Sequence, residues 1–338
     1  MNRTHTNGEL RRNHAGQSVT LTGWVARRRN LGSLVFIDLR DRTGITQLVF
    51  DETKENLVRE VRNEYILEIQ GIVALRKDPN AKMPTGDIEI MVETVKVINT
   101  AEVPPILVQD DTDALEDTRL KYRYLDLRRP VMQKRLMDRA KIVKTMRNFL
   151  DDNGFIEVET PMLTKSTPEG SREYLVPSRV HPGEFYALAQ SPQIFKQLLM
   201  VAGLERYYQI ARCFRDEDLR ADRQLDFTQV DIESSFLNEA EFQLIIEEMI
   251  VKVMKDVLGK EITTGFLKLP FADALNRFGS DKPDIRFAME LQEVTGIFAN
   301  STFPVFAQAL AHKQGAIKAL VVENGATFTR KETDALTE

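Results

Sequence analysis

The chain has 338 residues, 42% of them apolar and 29% charged, with a formal net charge of -5. This length suits two or three domains and the balance is that of a globular protein, so disorder is not the default; a generally basic nucleic-acid-coating protein is excluded, while a local basic patch is not. No apolar run approaches a membrane span, the start MNRTHTNGELRRNH lacks a signal-peptide core, and the single cysteine, Cys213, permits no internal disulfide, so a cytoplasmic protein is expected.

Five strand patterns come first: Val19 to Arg27, Leu34 to Arg40, Ile45 to Phe50, Tyr65 to Leu75 and Ile88 to Ile98. A short helical stretch, Lys54 to Arg62, separates the third from the fourth. That order is the one of an oligonucleotide/oligosaccharide-binding (OB) barrel, which uses strands 2 and 3 as its binding face. Arg27, Arg28 and Arg29 cluster at the end of the first strand, Phe36 stands on the second, and Gln47 and Arg76 follow. Read singly, Phe36 fits a core position and the arginines a solvated turn. Read together, they supply cations for phosphates, an aromatic for stacking and an amide for a base edge, as unpaired RNA requires, and both readings stand at this point.

Asn99 to Asp117 reads as an acidic, extended linker interrupted by Pro104-Pro105. Met132, Leu136, Ala140, Val143, Met146 and Leu150 then recur at helical spacing, with Asn153-Gly154 as a left-handed stop. FIEVET (Phe155 to Thr160) is a strand ended by Pro161. Two further strands, Tyr207 to Phe214 and Phe227 to Phe236, flank a dense run of charge. Alternation places Phe227, Gln229, Asp231 and Glu233 on one face of the second, a set better suited to a polar ligand than to a core. Cys213 fits a small buried residue better than a nucleophile, having no histidine near it. Asn238 caps an amphipathic helix closed by Gly259. The four histidines show no metal-ligand spacing, so no zinc is expected.

These segments carry a resemblance. The helix-strand-proline unit ending in Pro161 resembles motif 1 of the class II aminoacyl-tRNA synthetases, and the FRDE strand-loop-strand from Phe214 resembles their motif 2. YRYLDLRR (Tyr122 to Arg129), TPEGSREYLVPSR (Thr167 to Arg179), QSPQIFKQLLM (Gln190 to Met200), RADRQLDFTQVDIE (Arg220 to Glu233) and GSDKPDIRF (Gly279 to Phe287) are similar to the bacterial aspartyl-tRNA synthetase family. The resemblance implies an α+β chain: an anticodon-binding OB barrel over residues 1–100, a hinge over 101–130, the first part of an antiparallel class II catalytic sheet with flanking helices over 131–286, and the start of an inserted domain over 287–338.

It also implies roles. Arg215 is the motif 2 arginine expected to bridge the α-phosphate of ATP and the amino-acid carboxylate, Glu217 accepts from the adenine amino group, Phe227 stacks on adenine and Gln224 is a further ATP contact. Lys196 reads the aspartate side chain, with Glu169, Ser191, Gln193 and Asp231 holding the amine and orienting that lysine. Arg220 and Arg223, in the loop Leu219 to Arg223, meet the acceptor end of tRNA(Asp), while Arg29, Phe36, Gln47, Arg76 and Glu89 read its anticodon. A homodimer through motif 1 is implied, as is Mg2+ with ATP as substrate.

The chain departs from the family in carrying no motif 3, no late carboxylates for magnesium and no second arginine for aspartate. It is therefore expected to be a shortened ligase with little activity of its own. A non-catalytic tRNA- or RNA-binding paralogue is the alternative; an asparaginyl or lysyl enzyme is disfavoured by Gln190 to Lys196 and by DFTQVDIE.

Overall fold

The computed structural model describes residues 3–167, 169–220, 223–286, 288–313 and 315–336. Strands β1 (Ser18–Leu31), β2 (Leu34–Asp41), β3 (Gly44–Phe50), β4 (Ile66–Leu75) and β5 (Ile88–Asn99) close a barrel in the order β1-β2-β3-β5-β4, with β1 pairing back onto β4. Alternate residues point inward, so Leu21, Val25, Ile37, Leu39, Leu48, Leu67, Ile69 and Ile90 form one buried cluster. At Gly71 a Cβ would lie 2.4 Å from the carbonyl oxygen of Met91, so only glycine lets β4 and β5 approach this closely. Helix α1 (Glu55–Val58) is shorter than the spacing predicts, because only Val58 and, beyond it, Val61 reach the core.

A bulge in β1 between Val25 and Arg27 resets the alternation, so that Arg27 stands opposite Asp38 and Arg29 opposite Phe36. Without it Arg27 would follow Val25 into the core.

Residues 101–115 contain no helix or strand but are anchored, with Ile106 buried. Two short helices follow, α2 (Glu116–Lys121) and α3 (Arg123–Asp126). The fully buried carboxylate of Asp126 accepts from Arg119 Nε at 3.0 Å, Arg123 Nη1 at 3.0 Å and Arg129 Nη1 at 2.7 Å. Arg129 also donates to the carbonyls of Gln109 and Asp110.

Helix α4 (Pro130–Asp152) opens on proline, which fits the first turn, and stops at Gly154, whose φ of +75° suits glycine. The ends of its apolar stripe, Met132 and Leu150, are buried while Leu136 in the middle is 53% exposed. The expected strand 155–160 contributes only β6 (Ile156–Glu157), followed by one further bond from Val158 N to Tyr208 O. Strands β7 (Leu163–Thr164), β8 (Leu175–Pro177) and β9 (Phe185–Leu188) form a small sheet ordered β7-β9-β8. Helix α5 (Gln193–Val201) leads into the hairpin of β10 (Arg206–Phe214) and β11 (Asp226–Ser234), whose sheet is ordered β11-β10-β6; α6 (Glu239–Leu258) follows. The α+β architecture of barrel, then sheet with helices, is the one the sequence predicts, except that the sheet is mixed: β10 pairs antiparallel with β11 but parallel with β6.

The chain divides into two compact units, residues 1–238 with 252–261, and residues 239–251 with 262–338. Within the second, α7 (Phe271–Phe278), β12 (Leu291–Glu293), α8 (Pro304–Leu310), β13 (Lys318–Leu320) and α9 (Arg330–Ala335) include a two-stranded antiparallel ladder of β12 and β13. Phe287, where the sequence suggests a boundary, lies outside the described residues. Among the described residues no helix is long and apolar enough to cross a membrane.

Candidate active site and nucleic-acid interface

The β10–β11 register pairs Tyr207 with Glu233, Gln209 with Asp231, Ala211 with Gln229 and Cys213 with Phe227, which puts all eight side chains on one face. Gln209 Oε1 accepts from Tyr207 Oη and Thr160 Oγ1, each at 2.9 Å, fixing the floor of this face. Burial, with Asp231 nearby, pushes the Tyr207 phenol well above its ordinary range. Burial likewise pushes the Cys213 thiol up to about 11, and its Sγ donates to Gln229 Oε1 at 3.4 Å; it is a packed side chain, without thiolate character at neutral pH.

Helix α5 lays Lys196 over this face. Its Nζ is 3.0 Å from Asp231 Oδ1 and 3.3 Å from Glu233 Oε2, with the lysine side chain 13% exposed. Burial alone would lower the lysine; the two carboxylates outweigh it and hold the ammonium above its usual value. Asp231 Oδ2 is buried with no hydrogen-bond partner among the described residues. Gln193 begins the helix one turn before Lys196. Ser191 Oγ donates to Glu169 Oε2 at 2.8 Å, and both line a neighbouring cavity of about 180 Å³.

The charged loop between β10 and β11 shapes a second cavity, about 310 Å³, lined by Arg215, Glu217, Asp218, Arg223, Gln224 and Phe227. The four residues expected to contact ATP thus share one cavity. Arg215 lies with its guanidinium 5.1 Å from the Phe227 ring centroid, and its Nε is buried without a partner. One face of the ring that adenine would use is thereby covered by the arginine. Glu217 is paired with Arg223 at 3.4 Å, so its carboxylate is engaged too. Arg220 and Arg223 meet in a backbone bridge, Arg223 N donating to Arg220 O at 3.1 Å; Ala221 and Asp222, between them in the predicted tRNA loop, lie outside the described residues.

Sequence reasoning missed Arg172, Glu233 and Asp38. Arg172 exchanges backbone bonds with the loop, Asp216 N donating to Arg172 O at 3.0 Å and Arg172 Nε to Asp216 O at 3.3 Å. Its place in TPEGSREYLVPSR was the available signal. Alternation places Glu233 on the right face without assigning it a role.

On the barrel, Phe36 is half-buried on the outer side of β2, so of the two readings the core one falls. Arg29 Nη2 donates to Asp38 Oδ1 at 2.6 Å and to Gln47 Oε1 at 3.2 Å, and Gln47 Nε2 donates to Glu89 Oε2 at 2.9 Å. Arg76 Nε donates to the Ile88 carbonyl, and burial holds its guanidinium below its ordinary value. Asp38, Arg29, Gln47 and Glu89 therefore form one hydrogen-bonded chain, and Arg76 feels the charges of Glu89 and Asp38 without bonding to it.

Magnesium is implied by the resemblance. Among the described residues no group of three or more His, Cys, Asp or Glu side chains is arranged to hold a metal, and Asp231 and Glu233 are already engaged by Lys196.

A closed five-stranded barrel is followed by a three-stranded sheet that bears a lysine–dicarboxylate cluster and an arginine-lined cavity. Residues 115–334 match the family model of class II tRNA synthetases (D, K and N), and residues 19–98 match that of the OB-fold nucleic acid binding domain. The chain belongs to the class II tRNA synthetases of this D, K and N group. It is 56% identical over 343 residues to an aspartate–tRNA(Asp/Asn) ligase of Geobacillus sp. (strain WCH70), covering 99% of this chain and 58% of the relative. It is 54% identical over 341 residues to an aspartate–tRNA ligase of Exiguobacterium sibiricum, again 99% and 58%. The chain thus spans less than two thirds of the length of these curated relatives. Its fold is also that of asparaginyl-tRNA synthetase from Pyrococcus horikoshii complexed with asparaginyl-adenylate (TM-score 0.64, 24% identity, 73% of this chain and 56% of that one). The Entamoeba histolytica asparaginyl-tRNA synthetase, in complex with asparaginyl-adenylate, shares it as well (TM-score 0.67, 23% identity, 77% and 62%).

Proposed function

We propose that this chain carries the anticodon-reading barrel and one wall of the aspartate and ATP site of an aspartate–tRNA ligase, which activates aspartate with ATP and transfers it to tRNA(Asp). The observation that carries the reading is the buried ammonium of Lys196, held charged by Asp231 and Glu233 within a face that also presents Arg215 and Phe227.

Two anions must meet for activation, the amino-acid carboxylate and the α-phosphate. Arg215, permanently charged and with an unpaired Nε, neutralises both. Lys196 pairs with the aspartate side chain, and the open Oδ2 of Asp231, with Glu169 and Ser191, receives the amine. Phe227, Glu217 and Gln224 hold adenine, which requires Arg215 to leave the ring face and Glu217 to leave Arg223 as the nucleotide enters. Arg220 and Arg223 meet the acceptor strand through its phosphates. Arg29, Phe36, Gln47, Arg76 and Glu89 read anticodon bases by stacking and edge contacts. A homodimer through α4 would cover Leu136, the exposed centre of its apolar stripe.

Calorimetric titration with non-hydrolysable aspartyl- and asparaginyl-sulfamoyl adenosine tests the reading. Preference for the aspartyl compound is expected. Equal binding, a preference for the asparaginyl compound, or no binding of either overturns it.

A further inference from the structure

We infer that Arg128 is a latch that sets the orientation of the barrel: one guanidinium, mounted on the hinge, ties the barrel to the synthetase half, and its release lets the barrel swing about residues 100–105. The latch works in this way whatever the ligand sites bind.

The strand register sets a row on the outer wall of the barrel, with Trp24 opposite Arg40 on β2 and opposite Ile66 on β4. Arg128 meets this wall twice. Its guanidinium lies 5.1 Å from the Trp24 ring centroid, and its Nη1 donates to Glu64 Oε2 at 2.7 Å, a carboxylate that Arg40 already holds on the barrel. Among the described residues, no other hydrogen bond, ion pair or ring contact joins residues 3–99 to residues 101–237. Nor does any barrel strand lie packed along a later helix or strand. Where the β2–β3 turn faces the start of α4 the seam is unfilled: a cavity of about 430 Å³ is lined by Arg42 and Ile45 on one side and by Pro130, Lys134 and Met137 on the other. Two modules keep one orientation when a large apolar interface holds them, and without such an interface relative motion is expected.

The latch has a fixed post and a soft pivot. Arg129, next in the chain, is bound to Asp126 and to the carbonyls of Gln109 and Asp110, so the backbone that carries Arg128 is held. Between Asn99, which ends β5, and Ile106, which is buried, residues 100–105 have no helix, no strand and no buried side chain. The two ion pairs that share Glu64 are also unequal. Arg40 and Glu64 are 6% and 5% exposed, whereas the Arg128 side chain is 33% exposed, so water and salt reach the latch and leave the Arg40–Glu64 pair on the barrel.

The test places nitroxide labels on the whole chain at two exposed positions, Glu60→Cys on the barrel and Asp152→Cys at the end of α4, and measures their separation by double electron–electron resonance. With Arg128 in place one narrow distance distribution is expected. In Arg128→Ala it should broaden about twofold or more, and salt at about 1 M should broaden the distribution of the Arg128 protein while leaving that of Arg128→Ala unchanged. Arg128→Lys, which keeps a cation for Glu64 and Trp24, should stay closer to the Arg128 protein. A side chain that only supported folding would lower the melting temperature and leave the width alone. An unchanged width in Arg128→Ala overturns the inference, as does a distribution already as broad with Arg128 in place. Should Arg128→Ala fail to fold, the salt series on the Arg128 protein decides, and a width that does not respond to salt overturns it.

Discussion

Glu64 joins the barrel to the synthetase half through Arg128: Arg128 Nη1 donates to Glu64 Oε2 at 2.7 Å, while Arg40 Nη2 donates to both oxygens of the same carboxylate at 2.9 Å. Arg128 also lies over the Trp24 ring, 5.1 Å from its centroid. Glu64 adopts φ +66°, a left-handed backbone unusual for a glutamate, and the two arginines fix it there.

Removing Glu64 leaves Arg40, whose side chain is 6% exposed, without a counter-ion. Glu64→Ala should cost about 3 to 5 kcal/mol of stability, and Arg128→Ala, the more exposed partner, about 1 kcal/mol or less. Urea unfolding of the three proteins checks the order; equal losses would refute it.

Asp126 gives a pH signature. Burial alone would raise its carboxyl, but hydrogen bonds from Arg119 and Arg129 outweigh that and hold it below the usual carboxylate value. A carboxyl depressed in the folded state adds stability that is complete above its unfolded value, near ~4, and is lost as pH falls through the folded value. The stability gap between wild type and Asp126→Asn should therefore be flat near neutrality and narrow below about pH 4. A gap that widens on acidification would contradict the assignment.

Lys196→Met should weaken the aspartyl analogue by about 2 to 5 kcal/mol while leaving ATP binding intact. Titration of each ligand separately measures both, and a parallel loss of ATP would mean that the variant had collapsed the site as a whole.

Phe36→Ala should weaken binding of an anticodon stem-loop by about 1 to 3 kcal/mol without lowering the barrel's melting temperature, since the ring lies outside the core. Fluorescence anisotropy and a thermal melt separate the two effects.

Cys213, with its thiol pushed up to about 11, should react with an aromatic disulfide at pH 8 only after denaturant is added. Prompt reaction of the folded chain would show that the sheet face opens.

Much of this was legible in the sequence because alternation is a local property. The buried strand faces and the shared face of Phe227, Gln229, Asp231 and Glu233 follow from period two alone. The length of α1 did not, because a helix extends only as far as it has something to cover, and that depends on the far wall of the barrel. Asp38 and Arg172 were missed since their partners lie on other elements: Arg29 is nine residues from Asp38, and Asp216 is 44 from Arg172. The covering of Phe227 by Arg215 was likewise invisible, because it depends on where a loop folds back in space.

The segment between barrel and α4 reads as slack by composition, yet three arginines converge on Asp126 and one of them reaches back to Gln109 and Asp110. It is a fastening whose parts are all supplied by the consecutive residues 109–129. Anyone grafting a foreign barrel onto this synthetase half should cut ahead of Ile106 and leave 109–129 whole. A joint placed inside that stretch would divide one carboxylate from the cations that make its burial tolerable, and the graft would fail at its seam even if both modules folded.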